Sequence, residues 1–185
     1  MTKTQIQSVA VLVVVLVVIS IVSYLGLKSN AEENVIRSVF TQLKSESRRA
    51  TWNERIAVLS KPSRCHIYDA DGTNWEDIPK QVVREFIESN SDNAEPIKLT
   101  SLEGFVPIVK WEDNKRLYRA GYSKKPQDLP VLGVSRVGLN FTLNKAVMCV
   151  ERIVPSTLGG FAYIFYLEKK EGKWIVKMDR KAWVS

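Results

Sequence analysis

The sequence predicts an α+β fold behind a single membrane-spanning helix. Three observations predict it. An uncharged run from Val9 to Leu27, VAVLVVVLVVISIVSYLGL, lies near the start of the chain. Two stretches with helical apolar spacing follow, within residues 32–49 and 78–90. From residue 97 onward the pattern changes to short β-branched and aromatic runs broken by turn residues. Helices first and strands after is an α+β order, and its simplest packing lays two helices on one face of a curved antiparallel sheet.

The apolar run is the strongest single signal. As a helix it would be about 28 Å long, close to the thickness of a hydrocarbon core. It has no polar face, so a buried core helix is a poor alternative. Two readings of it stand. It is an uncleaved signal anchor, or it is the apolar core of a signal peptide cut after Ala31, where Ser29, Asn30 and Ala31 supply small residues before Glu32. As an anchor it divides the chain into a short cytoplasmic head (1–8), a transmembrane segment (9–27) and an extracytoplasmic α+β domain (28–185), periplasmic or at the cell surface.

Composition narrows the partners. The 185 residues carry a formal net charge of +7, and every acid and all but one of the basic residues lie in 28–185. Lipid head groups, an anionic polymer or an acidic protein could meet such a domain. The charges are interspersed, however, which is the pattern of a solvated face. No basic run is interleaved with aromatics, so nucleic acid is not expected. The two cysteines, Cys65 and Cys149, sit in apolar strand-like segments. They could pair outside the cytoplasm or remain two core thiols. One histidine and no Cys-x-x-Cys make them poor metal ligands.

Each element has its own signal. Val35, Ile36, Val39, Phe40 and Leu43 form one apolar stripe, with acids at the start of 32–49 and Arg48 and Arg49 near its end, as the helix dipole favours. The stretch from Trp52 to Leu59 is ambiguous, and Pro62 stops it. Residues 65–68 read as a strand before the turn at Asp69, Ala70, Asp71 and Gly72. Asp77 before Ile78 and Pro79 predicts a helix start, and Val82, Val83, Phe86 and Ile87 give a second amphipathic helix ending near Asn90. Strands are expected at 97–99, 105–111, 134–141, 146–153, 161–167 and 174–178, the last ones forming a meander. Alternation puts Trp174, Val176 and Met178 on one face. Both faces of 161–167 are apolar, so that strand should be central.

The tail carries a recognisable pattern. It comprises Ser135-Arg136-Val137-Gly138-Leu139-Asn140, Ala146-Val147, Gly159-Gly160, Leu167-x-Lys169-x-x-Gly172-Lys173-Trp174-x-Val176 and a closing Trp183-Val184-Ser185, with Phe86-x-x-x-Asn90 upstream. It resembles a group of uncharacterised, mostly bacterial extracytoplasmic proteins with an S-R-V-G-F-N segment, a Gly-rich turn and a C-terminal W-[IV]-S. Leu139 stands where that group has Phe, and the Gly-rich turn is shorter. The resemblance spans residues 78–185 and implies no activity. The helix-then-meander order also resembles, loosely, the NTF2-like cone fold, which hosts enzymes, binding proteins and membrane-tethered scaffolds and so implies little about function.

No constellation specifies a reaction. His66 is the only histidine, and on a strand it faces away from Asp69. The acidic stretch from Asp69 to Asp77 fails as an EF-hand: Gly72 is fourth rather than sixth, and Lys80 stands at position twelve. Neither Ser135 nor Ser156 sits in a Gly-x-Ser-x-Gly elbow. Gly159 and Gly160 need no more than hairpin geometry. Asn140-Phe141-Thr142 matches a glycosylation sequon but reads as a strand end. Trp111, Tyr118, Trp174 and Trp183 at strand spacing read as core rather than a ligand box. No catalytic, cofactor-binding or metal residue is therefore assigned. The expected function is a membrane-anchored, extracytoplasmic, non-enzymatic binding or interaction module, its partner an envelope protein or small ligand. The alternative is a small envelope hydrolase or isomerase with its site in the sheet cavity, with His66 or Asp179 turned into an apolar pocket.

Overall fold

The fold is that of a computed structural model, which describes residues 3–47, 57–59, 75–91, 97, 99, 108–109, 131–154 and 159–184. Within these the element order is α1 (Lys3–Ser47), β1 (Ala57–Leu59), α2 (Lys80–Ser89), β2 (Ile108–Val109), β3 (Val131–Val134), β4 (Gly138–Leu139), β5 (Lys145–Val154), β6 (Gly159–Lys170) and β7 (Lys173–Val184). The chain divides into two compact units, Met1–Ala31 and Glu32–Ser185. The expected strand at 65–68 and the acidic turn after it lie outside the described residues, as do Trp52, Trp111 and Tyr118.

The first unit is helix. From Val9 to Leu27 its large aliphatic side chains stand 47–63% exposed. This is one N-terminal helix long and apolar enough to span a membrane. The Ser20 hydroxyl donates to the Leu16 carbonyl at 2.8 Å. That bond satisfies the hydroxyl within the helix, as a lipid environment requires.

The expectation of a span and a separate helix is corrected: α1 is one continuous helix from Lys3 to Ser47. The residues between the two apolar segments include Lys28, Ala31, Glu32 and Glu33, good helix formers with no proline among them, so nothing breaks the backbone hydrogen bonds. Ser29, Asn30 and Ala31 lie inside that helix. In the second unit the expected stripe holds: Val35, Ile36, Val39 and Phe40 are buried, and Leu43 is half-buried.

The second unit is α+β. Strands β3, β5, β6 and β7 run antiparallel side by side, and β4 pairs antiparallel with β5. The meander expected at the C-terminus is β5–β6–β7. Two short strands depart from it: β1 pairs in parallel with both β2 and β3. The expected strand over 134–141 is two strands, because Ser135, Arg136 and Val137 leave the ladder between β3 and β4. Ile97 and Leu99 are buried but not in a strand, so their apolar character served the core rather than a ladder.

Strand β6 is flanked on both sides, and Ala162, Ile164, Phe165, Tyr166 and Leu167 are buried, so both its faces are covered as expected. Against one face packs α2: Ile78, Val82 and Phe86 join Val147, Cys149, Ala162, Ile164 and Tyr166 in one cluster. Met178 packs against this cluster too. That corrects its placement beside Trp174 and Val176. The β6–β7 register is Leu167 with Val176 but Tyr166 with Met178, leaving Lys177 as an extra residue. This bulge turns Met178 to the α2 side, while Trp174 and Val176 stay on the other. Strict alternation cannot show such an inserted residue.

Candidate functional site

The polar residues of the second unit converge where α1, α2 and the 135–137 segment meet. Chain chemistry creates the need. Between β3 and β4 the backbone of Arg136 and Val137 has left the sheet, yet the neighbouring Ser135 and Val137 are buried. Backbone groups there need partners from elsewhere. Asn90, the C-cap residue of α2, supplies two: its Oδ1 accepts the Arg136 N–H at 2.7 Å, and its Nδ2 donates to the Arg136 carbonyl at 3.1 Å. The same Nδ2 donates to the Phe86 carbonyl at 2.8 Å, at the end of its own helix.

Glu32 supplies the rest. Its Oε1 accepts the Val137 N–H at 3.1 Å, and its carboxylate takes the Arg136 guanidinium in a two-pronged pair, Nε to Oε1 at 3.1 Å and a terminal nitrogen (Nη2) to Oε2 at 3.0 Å. The Glu32 side chain is 12% exposed and that of Arg136 26%. Ser135, wholly buried, donates its hydroxyl to the Arg136 carbonyl at 2.9 Å and accepts the Cys149 N–H at 2.8 Å. The hydroxyl is bound into the sheet, which is no setting for a nucleophile.

The segment from Ser135 to Asn140 has a physical reading. A side-chain Cβ at Gly138 would lie 2.5 Å from the Cβ and backbone nitrogen of Phe86. Only glycine lets β4 approach α2 so closely. Asn140 closes the next turn: its Oδ1 accepts the N–H groups of Asn144 and Lys145, both at 2.9 Å, and its Nδ2 donates to Thr142 and Asn144. Leu143 sits in that turn at φ 53°. Ser135, Arg136, Gly138, Asn140, Phe86 and Asn90 thus each hold a joint of the architecture.

A second feature lies on the outer side of α2. Trp75, Ile78, Val83 and Ile87 line an open groove bordered by Glu76, Lys80, Arg84 and Glu88. Ile87 is 53% exposed. Arg84 and Glu88 form a solvent-facing ion pair at 3.9 Å. The helix starts later than expected. Pro79 is its N-cap, without a side-chain cap, and its carbonyl accepts the Val82 N–H. Asp77, expected at the helix start, instead pairs with Arg180 of β7 at 2.8 Å.

Other candidates fall apart in space or lie out of view. His66, Asp69, Asp71 and Ser156 are outside the described residues. Asp179 is exposed, beside Phe165 in register, and turned into no apolar pocket. Among the described residues no three His, Cys, Asp or Glu side chains come together. Trp174 is buried and stacked under Lys169, whose Nζ lies 5.9 Å from the ring centroid. Its Nε1–H has no hydrogen-bond partner among the described residues. Tyr166 donates to Glu168 at 2.8 Å. Burial raises its phenol pKa above the ordinary tyrosine value, and the Glu168 hydrogen bond and charge add to the effect.

No protein-family model matches this chain, and no curated protein or solved structure matches it either.

Glu32, Asn90 and the Ser135 hydroxyl were not singled out as partners from sequence. Phe86-x-x-x-Asn90 and Ser135–Asn140 stand far apart in the sequence, and only the fold shows that the two pieces touch.

Proposed function

We propose that this chain is a membrane-anchored, extracytoplasmic binding or interaction module and not an enzyme. The observation that carries the reading is the N-terminal helix, long and apolar enough to span a membrane, with its large aliphatic side chains from Val9 to Leu27 exposed. Support comes from the second unit. Of the buried polar residues described there, Glu32, Asn90 and Ser135 join elements, with the half-buried Arg136 as their shared partner, and Glu151 is buried within β5. Cys149 is disulfide-bonded, which suits an oxidising compartment outside the cytoplasm. Its partner would be another envelope protein or a small ligand. The likeness to the S-R-V-G-F-N group and to the NTF2-like cone belongs to this proposal and adds no activity to it. Release after cleavage behind Ala31 would give the same module in secreted form.

The test is affinity purification of the full chain from detergent-solubilised membranes, beside a control carrying residues 1–31 alone. A component retained by the full chain and lost from the control supports the reading. Identical retention by both would show that the second unit binds nothing, and would overturn it.

A further inference from the structure

Two turns meet at one end of the sheet. The Lys169 N–H donates to the Asn144 carbonyl at 2.8 Å, which ties the β4–β5 turn to the end of β6. Asn140 braces the first turn, and Phe141 stands beside it 72% exposed. Partners in an antiparallel register share a face, so Lys145, Glu168, Lys170, Lys173 and Ile175 lie together on one side of the sheet. Lys170 and Lys173 are exposed, and Ile175 is 42% exposed. Lys169, also exposed, lies on the opposite side over the Trp174 ring. The acids at this end are Glu168 and Glu171. Glu168 already accepts the Tyr166 hydroxyl and lies 3.8 Å from Lys145. The end is therefore net basic, and it exposes two large apolar side chains.

We propose that this end of the sheet is a second membrane contact, which docks on anionic lipid head groups. Phe141 enters the boundary between head groups and acyl chains, while Lys169, Lys170 and Lys173 meet lipid phosphates. A soluble polyanion would engage the lysines but offers no apolar layer to Phe141. The turn is within reach of a bilayer. Glu32 follows Leu27 by five residues, at most about 18 Å of fully extended chain. Glu32 is bonded to Arg136 and Val137, and Phe141 stands four residues after Val137. A tether that short keeps the lysines near lipid at high effective concentration, so a few weak contacts suffice. The proposal rests on the membrane-anchored part of the function proposed above and is independent of the side on which the second unit lies.

The experiment places the photoreactive residue benzoylphenylalanine at position 141 of the full chain. The chain is reconstituted in vesicles of phosphatidylcholine, with or without phosphatidylglycerol, and irradiated, and lipid adducts are read by mass. The expected result is labelling in phosphatidylglycerol vesicles that falls several-fold at high salt, where the charges are screened. Combined Lys170→Gln and Lys173→Gln should cut it about tenfold. The same probe at Asp179, along β7 and away from the turns, should stay unlabelled. Equal labelling at 141 and 179, or equal labelling in both kinds of vesicle, would overturn the proposal. So would adducts to a protein or glycan in place of lipid when native membranes are irradiated. The salt comparison keeps every lysine, so it decides even where the double variant folds poorly. Alkaline carbonate extraction of the same vesicles separates the two readings. A chain retained in the membrane but unlabelled at 141 would overturn the lipid contact alone. A chain released by carbonate would overturn the anchored reading as well.

Discussion

Replacing Arg136 by alanine strands the Glu32 carboxylate in a mostly buried site where, among the described residues, the Val137 N–H alone is left to it. Breaking a fully buried pair costs about 3–5 kcal/mol, and partial exposure of Arg136 lowers that to about 2–3 kcal/mol. Chemical denaturation of Arg136→Ala in mild detergent measures it. Gly138→Ala sets a Cβ against the backbone of Phe86, which cannot yield, and should cost about 3 kcal/mol or more. Gly172→Ala, with open space around it but φ +78°, should cost only about 1 kcal/mol. Equal costs for the two glycines would refute the close approach of β4 to α2. At Trp174 the ring and its nitrogen separate. Trp174→Ala should cost about 3–5 kcal/mol, whereas Trp174→Phe, which discards an unpartnered N–H and keeps most of the apolar area, should cost well under half of that. Tyr166 gives a pH test. Its raised folded pKa means that its contribution is complete below the unfolded value of about 10 and is lost as pH climbs beyond it. Thermal melts across the alkaline range should show that loss, and Tyr166→Phe should lessen it.

At the scale of elements, the two amphipathic helices and the C-terminal meander were legible because their periods are long and regular. Val35, Ile36, Val39 and Phe40 repeat over two turns, and Val82 and Phe86 mark the face that α2 presents to the sheet. Three features were not legible, each for a local reason. The joint between span and helix vanished because Lys28, Ala31, Glu32 and Glu33 are as content in a helix as outside one. In the segment 134–141 apolar residues stand on both sides of Ser135 and Arg136, so composition could not show that Ser135, Arg136 and Val137 step out of the ladder to be held by Asn90 and Glu32. The bulge at Lys177 leaves no compositional trace, yet it reverses the side that Met178 faces. Deleting Lys177 should therefore misplace either Met178 or Trp174 and lower the melting temperature by about 5 °C or more, a loss of about 2 kcal/mol at roughly 2–4 °C per kcal/mol for a domain of this size. Lys177→Ala, which keeps the backbone count, should leave it nearly unchanged.

For the molecule as a whole, the candidate site read from the sequence was an absence, and the structure gives that region a mechanical content. The residues that looked like a motif are the ones that hold α1, α2 and the sheet together. Function was less legible than fold because the chemistry-bearing residue types, carboxylates and a serine, are the same ones a protein uses to satisfy a buried backbone. What sets this chain apart is where its chemistry is held: a compact second unit on the same chain as a helix with an exposed apolar surface. The measurement that tests this most directly is protease accessibility of residues 28–185 in cells whose outer barrier has been permeabilised while the cytoplasmic membrane stays sealed. The expected result is digestion of that region while a cytoplasmic marker survives. Its protection alongside the marker would contradict the extracytoplasmic assignment.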